Sequence, residues 1–217
     1  MLGLIGSAIS AVVSGVTSAC SAIGGFIAKA ASVAVEIAKC LPVVGDIITA
    51  IGKILEIISG DTKPEDLGAA MQQCDKKPED FETTKEYIKY LEEEIKAGRV
   101  DCSVNEDKTI STANAALGTF ITLEGVKEQY DQIDLSFFKD VGQKFNEGKL
   151  NAQEVKSIIE TADKNGVNPQ EVSKYIAGEK PENIDSAKST LQEAIKATDP
   201  SLSDQDLNAK IKDVLQG

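Results

Sequence analysis

The side chains offer few starting points for catalysis. No histidine occurs in the 217 residues, which removes the commonest general base and the His-containing zinc sites. Neither a G-x-S-x-G elbow nor a phosphate-binding glycine loop is present. Acidic residues are plentiful, but runs such as Glu92-Glu93-Glu94 read as solvated helix faces. The sequence therefore points to a protein that is not an enzyme and uses no cofactor or metal.

Two stretches approach a calcium loop and then depart from it. Taking Asp163 as the first ligand of Asp163-Lys-Asn165-Gly166 puts Val167 at position five and Lys174 at position twelve, where a bidentate Glu is needed. Taking Glu154 as the twelfth position puts Gln143 and Phe145 at the first and third, where carboxylates belong. Both stretches read instead as turns between helices.

The four cysteines, Cys20, Cys40, Cys74 and Cys102, contain no C-x-x-C. Cys20 and Cys40 lie in apolar stretches, where a thiol serves as a small hydrophobe. Cys74 and Cys102 flank an expected helix of about twenty residues, roughly 30 Å long, which disfavours a bridge between them. Free thiols and synthesis in a reducing compartment follow. Cys20 is not set up for lipidation, since no basic start precedes it and Thr17 stands where an aliphatic residue belongs.

The segment that must organise the rest is 1–60. No charged side chain occurs from Leu2 to Ala28, and small residues recur at every fourth position: Gly3, Ser7, Ala11, Gly15 and Ala19. On a helix they form one smooth stripe where another backbone can come close. An amphipathic helix follows up to Leu41, with Lys29, Ser32, Glu36 and Lys39 on its polar line. Pro42 is expected to end it. A third helix, Val43–Ser59, carries Asp46, Lys53 and Glu56 on one face and seven aliphatic residues around the rest. A bilayer, sister copies of the chain, or the protein's own later helices would each satisfy such a hairpin.

Charge divides the chain. Three lysines balance three acids in 1–60, so the whole net charge of −12 lies in 61–217. An acidic body excludes nucleic acid, which needs a basic stripe, and makes any lipid contact hydrophobic rather than electrostatic. Past Asp61 the chain reads as short helices with strong start signals, the most regular being Glu79–Ala97 with Phe81, Tyr87, Ile88, Leu91 and Ile95 on one face. Residues 99–109 form a polar connector. Helices follow at Thr112–Ile133 and near 135–146, 151–162, 168–177, 182–197 and 204–215. Leu150-Asn-Ala-Gln-Glu-Val155 echoes in Val167-Asn-Pro-Gln-Glu-Val172, a capping box used twice, and more weakly in Ser203-Asp-Gln-Asp206.

The expected architecture is all-α: an apolar, glycine-rich N-terminal helical hairpin region (1–60), a helical arm (61–98) and an acidic multi-helix domain (99–217). The function this implies is membrane insertion, as a pore-forming or effector-like protein. It would be made in the cytoplasm without a cleaved signal peptide and delivered by a chaperone or a secretion or injection machine. Its partners would be membrane lipid or its own copies. A structural subunit of a phage or injection-system particle, and a soluble helical adaptor, are the alternatives.

Overall fold

A computed structural model describes residues 10–18 and 27–216. Every regular element among them is helical and no strand occurs among them. The chain forms two compact units, 1–128 and 129–217. The expected joints near 60 and 98 both fall inside the first unit.

In the first unit the described residues of α1 (10–18) include a fully buried Val16. They are followed by α2 (Ile27–Ile54). This helix runs straight through Pro42, where the sequence placed a helix end. Pro42 lies on the exposed line of α2 with Ser32, Glu36, Lys39 and Asp46. The hydrogen bond that proline cannot make is thus lost toward solvent, while the opposite face stays packed. That face consists of Ala34, Ile37, Val44, Ile47, Ile48 and Ile51, all fully buried. Each isoleucine contributes roughly 2–3 kcal/mol of burial.

Helix α3 (Pro64–Gln73) has proline in its first turn and Glu65 and Asp66 beside its positive end. The regular helix expected from Glu79 starts later, as α4 (Thr84–Lys96), after a short 3-10 turn at Pro78–Asp80. Two start signals compete here. Asp80 closes on the Lys77 amide at 2.8 Å, while Thr83 takes the Glu86 amide at 3.1 Å and caps α4. Phe81 falls in the extended gap between them and stacks on Tyr87 and Tyr90 at 5.4 Å each. The connector expected at 99–109 holds a second 3-10 turn, Cys102–Glu106. Asp107 then accepts the Thr109 and Ile110 amides and opens α5 (Lys108–Gln129), four residues ahead of the expected start.

The second unit contains α6 (Leu135–Asn146), α7 (Ala152–Asn165), α8 (Pro169–Ile176), α9 (Ile184–Thr198) and α10 (Asp204–Leu215), close to where the sequence put them. Each begins on a side-chain cap: Asp134, Asn151, Asn168, Asn183 and Ser203. Four residues after each cap stands an apolar residue: Phe138, Val155, Val172, Ala187 and Leu207. The first four of these are fully buried. Phe137 and Phe138 meet edge to face at 5.3 Å in this core. At the far end Lys144 and Lys149 both donate to the Gln216 carbonyl, at 2.9 and 2.6 Å.

Candidate functional site

The expected work of this protein falls on its apolar helices, so the site is the surface that holds them. Helix α5 is that surface. Its buried residues run without a break from Ala116 to Leu123, so it has no solvent stripe and is surrounded by other elements. Small residues let those elements come close. A Cβ added to Gly118 would be driven into the Pro64 carbonyl, and one on Gly68 into that of Asn114. Pro64 pairs with Gly118 and Gly68 with Asn114, so α3 and α5 cross antiparallel with backbones in contact. Gly52 of α2 lies against the Thr122 methyl, and Gly125 against Ile57, whose Cγ2 would be 2.6 Å from an added Cβ. From α1, Gly15 faces Ala113, whose Cβ would lie 3.3 Å from a Cβ added at Gly15.

A chain of side-chain hydrogen bonds runs beside this crossing. Gln72 Nε2 donates to Asn114 Oδ1 (2.5 Å), Asn114 Nδ2 to Asn105 (2.8 Å) and Asn105 Nδ2 to Asp66 (3.0 Å). Asn114 is buried, so leaving its amide unpaired would be costly. At its end the Cys102 thiol is pushed up to about 11, first by burial and then by the Asp66 carboxylate beside it. Cys74, buried against Tyr90, is raised by burial and by Glu94. Both thiols are free, and both sit among acids, which disfavours the thiolate.

Helix α2 ends in an unusual way. The Glu56 amide donates to the Lys53 carbonyl (3.1 Å) and the Ile57 amide to that of Gly52 (2.8 Å). This is the paired closure that normally places glycine at the left-handed position. Helices α4, α6, α7 and α8 close through the same pair of bonds on Gly98, Gly148, Gly166 and Gly178. In α2 the left-handed residue is Glu56, with φ 55°, the only non-glycine at positive φ among the described residues. Just beyond, the buried Glu92 of α4 accepts the Ser59 amide (2.6 Å) and the Thr62 hydroxyl (2.7 Å). The Ser59 hydroxyl donates in turn to Thr62 Oγ1, at 2.6 Å.

Of the small stripe, Gly3, Ser7 and Ala19 lie outside the described residues; Ala11 is exposed, and Gly15 faces Ala113 of its own chain. On the polar line Glu36, Lys39 and Asp46 are exposed, and Lys53 is half-buried. Glu36 and Lys39 pair at 2.8 Å. The side chain of Lys29 lies outside the described part. Glu56 is exposed but stands past the end of α2 rather than on it. Glu92, read from the sequence as part of a solvated face, is instead buried, because its carboxylate accepts from Ser59 and Thr62. Gly118 and Gly125 carried no mark as contact residues, because a contact across tens of residues leaves no periodic signal. The residues that approach a calcium loop do other work. Glu154 completes the capping box of Asn151 and meets Lys210 at 3.1 Å, while Gly166 closes α7 and Asn165 donates to Glu193 at 2.9 Å.

Among the described residues no helix is long and apolar enough to cross a membrane. No protein-family model, curated protein or solved structure matches the chain.

Proposed function

We propose that this is a non-enzymatic, membrane-acting helical protein that carries its apolar helix folded against its own first unit and lays it on a lipid surface. One observation supports this most. The 28-residue α2 buries a purely aliphatic face within the first unit and keeps one charged line outward. The same division of faces suits a helix lying in the plane of a bilayer interface, charges up and isoleucines down. Its length, about 42 Å, and its charges favour that placement, or the lining of a water-filled lumen, over a plain span. The acidic remainder would keep the chain in water until contact. A chaperone or an export machine would serve delivery, and sister copies would be the partners after insertion.

Because attraction to anionic lipid is absent from such a chain, binding should be hydrophobic in character. Flotation with neutral phosphatidylcholine vesicles, alongside release of a trapped dye, tests this. Co-flotation and dye release that persist in high salt, and that weaken as phosphatidylglycerol is added, are the expected results. A chain that stays off every vesicle overturns the reading. In that case a monomer in solution indicates a helical adaptor, and a large assembly without detergent indicates a particle subunit.

A further inference from the structure

We propose that the 55–62 turn is a latch that holds α2 short, and that on release α2 continues as one helix through Ser59. The inference deepens the reading above and rests on it for its purpose, though not for its physics. Residues 53–59, Lys-Ile-Leu-Glu-Ile-Ile-Ser, contain neither glycine nor proline, and their apolar spacing is that of a helix extending from α2. The helix nevertheless stops at Ile54. Nothing local makes it stop, so contacts with the rest of the unit impose the break.

Two contacts do so. Ile57 is buried against Gly125. Glu92 grips the Ser59 amide and the Thr62 hydroxyl. Within the closed turn itself the buried Ile58 folds back beside Gly52. A continued helix would turn the Ser59 amide back to the Leu55 carbonyl and away from Glu92. The closed turn meanwhile keeps Glu56 in a left-handed conformation that four other helix ends of this chain assign to glycine. Strain on one side and a carboxylate grip on the other make a two-position element. Release of the grip would free the very end of α2 that is anchored on α5.

Amide hydrogen exchange of the full chain in water, without lipid, tests the latch separately from the membrane reading. Glu56→Gly relieves the left-handed strain and also disfavours helix extension, so exchange across 53–62 should slow about tenfold. Glu92→Ala should speed exchange across 44–62 by about tenfold or more while leaving 129–217 unchanged. Should Glu92→Ala fail to fold, Thr62→Val, which removes one donor of the grip, is read by the same criterion. Exchange that Glu56→Gly leaves unchanged or accelerates overturns the latch. So does acceleration by the grip variant spread evenly over residues 10–128.

Discussion

A Cβ placed on Gly15 of α1 would lie 3.3 Å from the Cβ of Ala113 on α5. Disulfide geometry needs a separation of about 3.5–4.5 Å, so a small adjustment suffices for a bridge. Gly15→Cys with Ala113→Cys, in a chain whose native cysteines are replaced by alanine, should therefore cross-link on oxidation and migrate faster on a non-reducing gel. If α1 leaves α5 when the protein meets lipid, the oxidised form releases no vesicle dye and reductant restores release. Equal release from both forms shows that this contact stays closed during the activity.

The crossing of α3 and α5 leaves no room for a methyl group. Gly68→Ala and Gly118→Ala each force a Cβ into a backbone carbonyl of the facing helix, which can give way only by moving the helix. Each should cost about 3 kcal/mol or more, the upper range for overpacked sites. A fall in the urea midpoint at constant slope would establish it. Gly60→Ala, with nothing near its added Cβ, serves as the control and should change little.

The thiols set an alkaline limit on the first unit. Cys102 is pushed up to about 11 in the fold, against an ordinary value of about 8.5 in an unfolded chain. Between those values the unfolded chain gives up its proton while the folded chain keeps it, so stability falls as pH rises from about 9 to 11. Cys102→Ser, which keeps a donor toward Asp66 but does not ionise, should flatten that part of the profile. Alkylation of the native protein at pH 8 should likewise be slow at Cys102 until denaturant is added.

Asp140 does the same in the second unit, in the acid range. Burial, with Glu179 and Asp134 nearby, holds its carboxyl above the usual range despite the Ser173 hydroxyl donating to it at 2.6 Å. Its contribution to stability is present below the ordinary carboxylate value and is lost as pH rises through the raised one. Asp140→Asn should therefore stabilise the protein at pH 7, by less than about 1 kcal/mol after solvent screening. Melting temperatures that differ at pH 7 and converge near pH 3 would establish this.

The second unit was largely readable from its residues, because every helix there announces its own start. Two echoed caps and a weaker third were visible in the sequence, at Asn151, Asn168 and Ser203. Asp134 and Asn183 complete the set, and they escaped notice because the residues after them do not repeat. The first unit was harder to read, and for a different reason. Helix α5 mixes small, polar and apolar residues without a regular stripe, so nothing marked it as the element the others surround. Pro42 was weighed as a local breaker, but packing carried the helix through it. The Pro78-Glu79-Asp80 start signal was read as opening the long helix, but Thr83 caps it four residues later, with Phe81 set against Tyr87 and Tyr90 in between. The stop after Ile54 could not be foreseen, since it depends on a carboxylate some thirty residues away. On the candidate site, the polar line at Glu36, Lys39 and Asp46 was legible from helical spacing. The partners of the end of α2, Thr122 and Gly125, lie on α5, where no regular interval drew attention to them.

The Thr122 methyl and the Ile57 Cγ2 fill the spaces where Gly52 and Gly125 lack a side chain, so each is a peg seated in a socket and held by dispersion on all sides. The last turn of α2 therefore cannot slide along α5 without first withdrawing these pegs, and a bulkier residue at Gly52 would push one of them out.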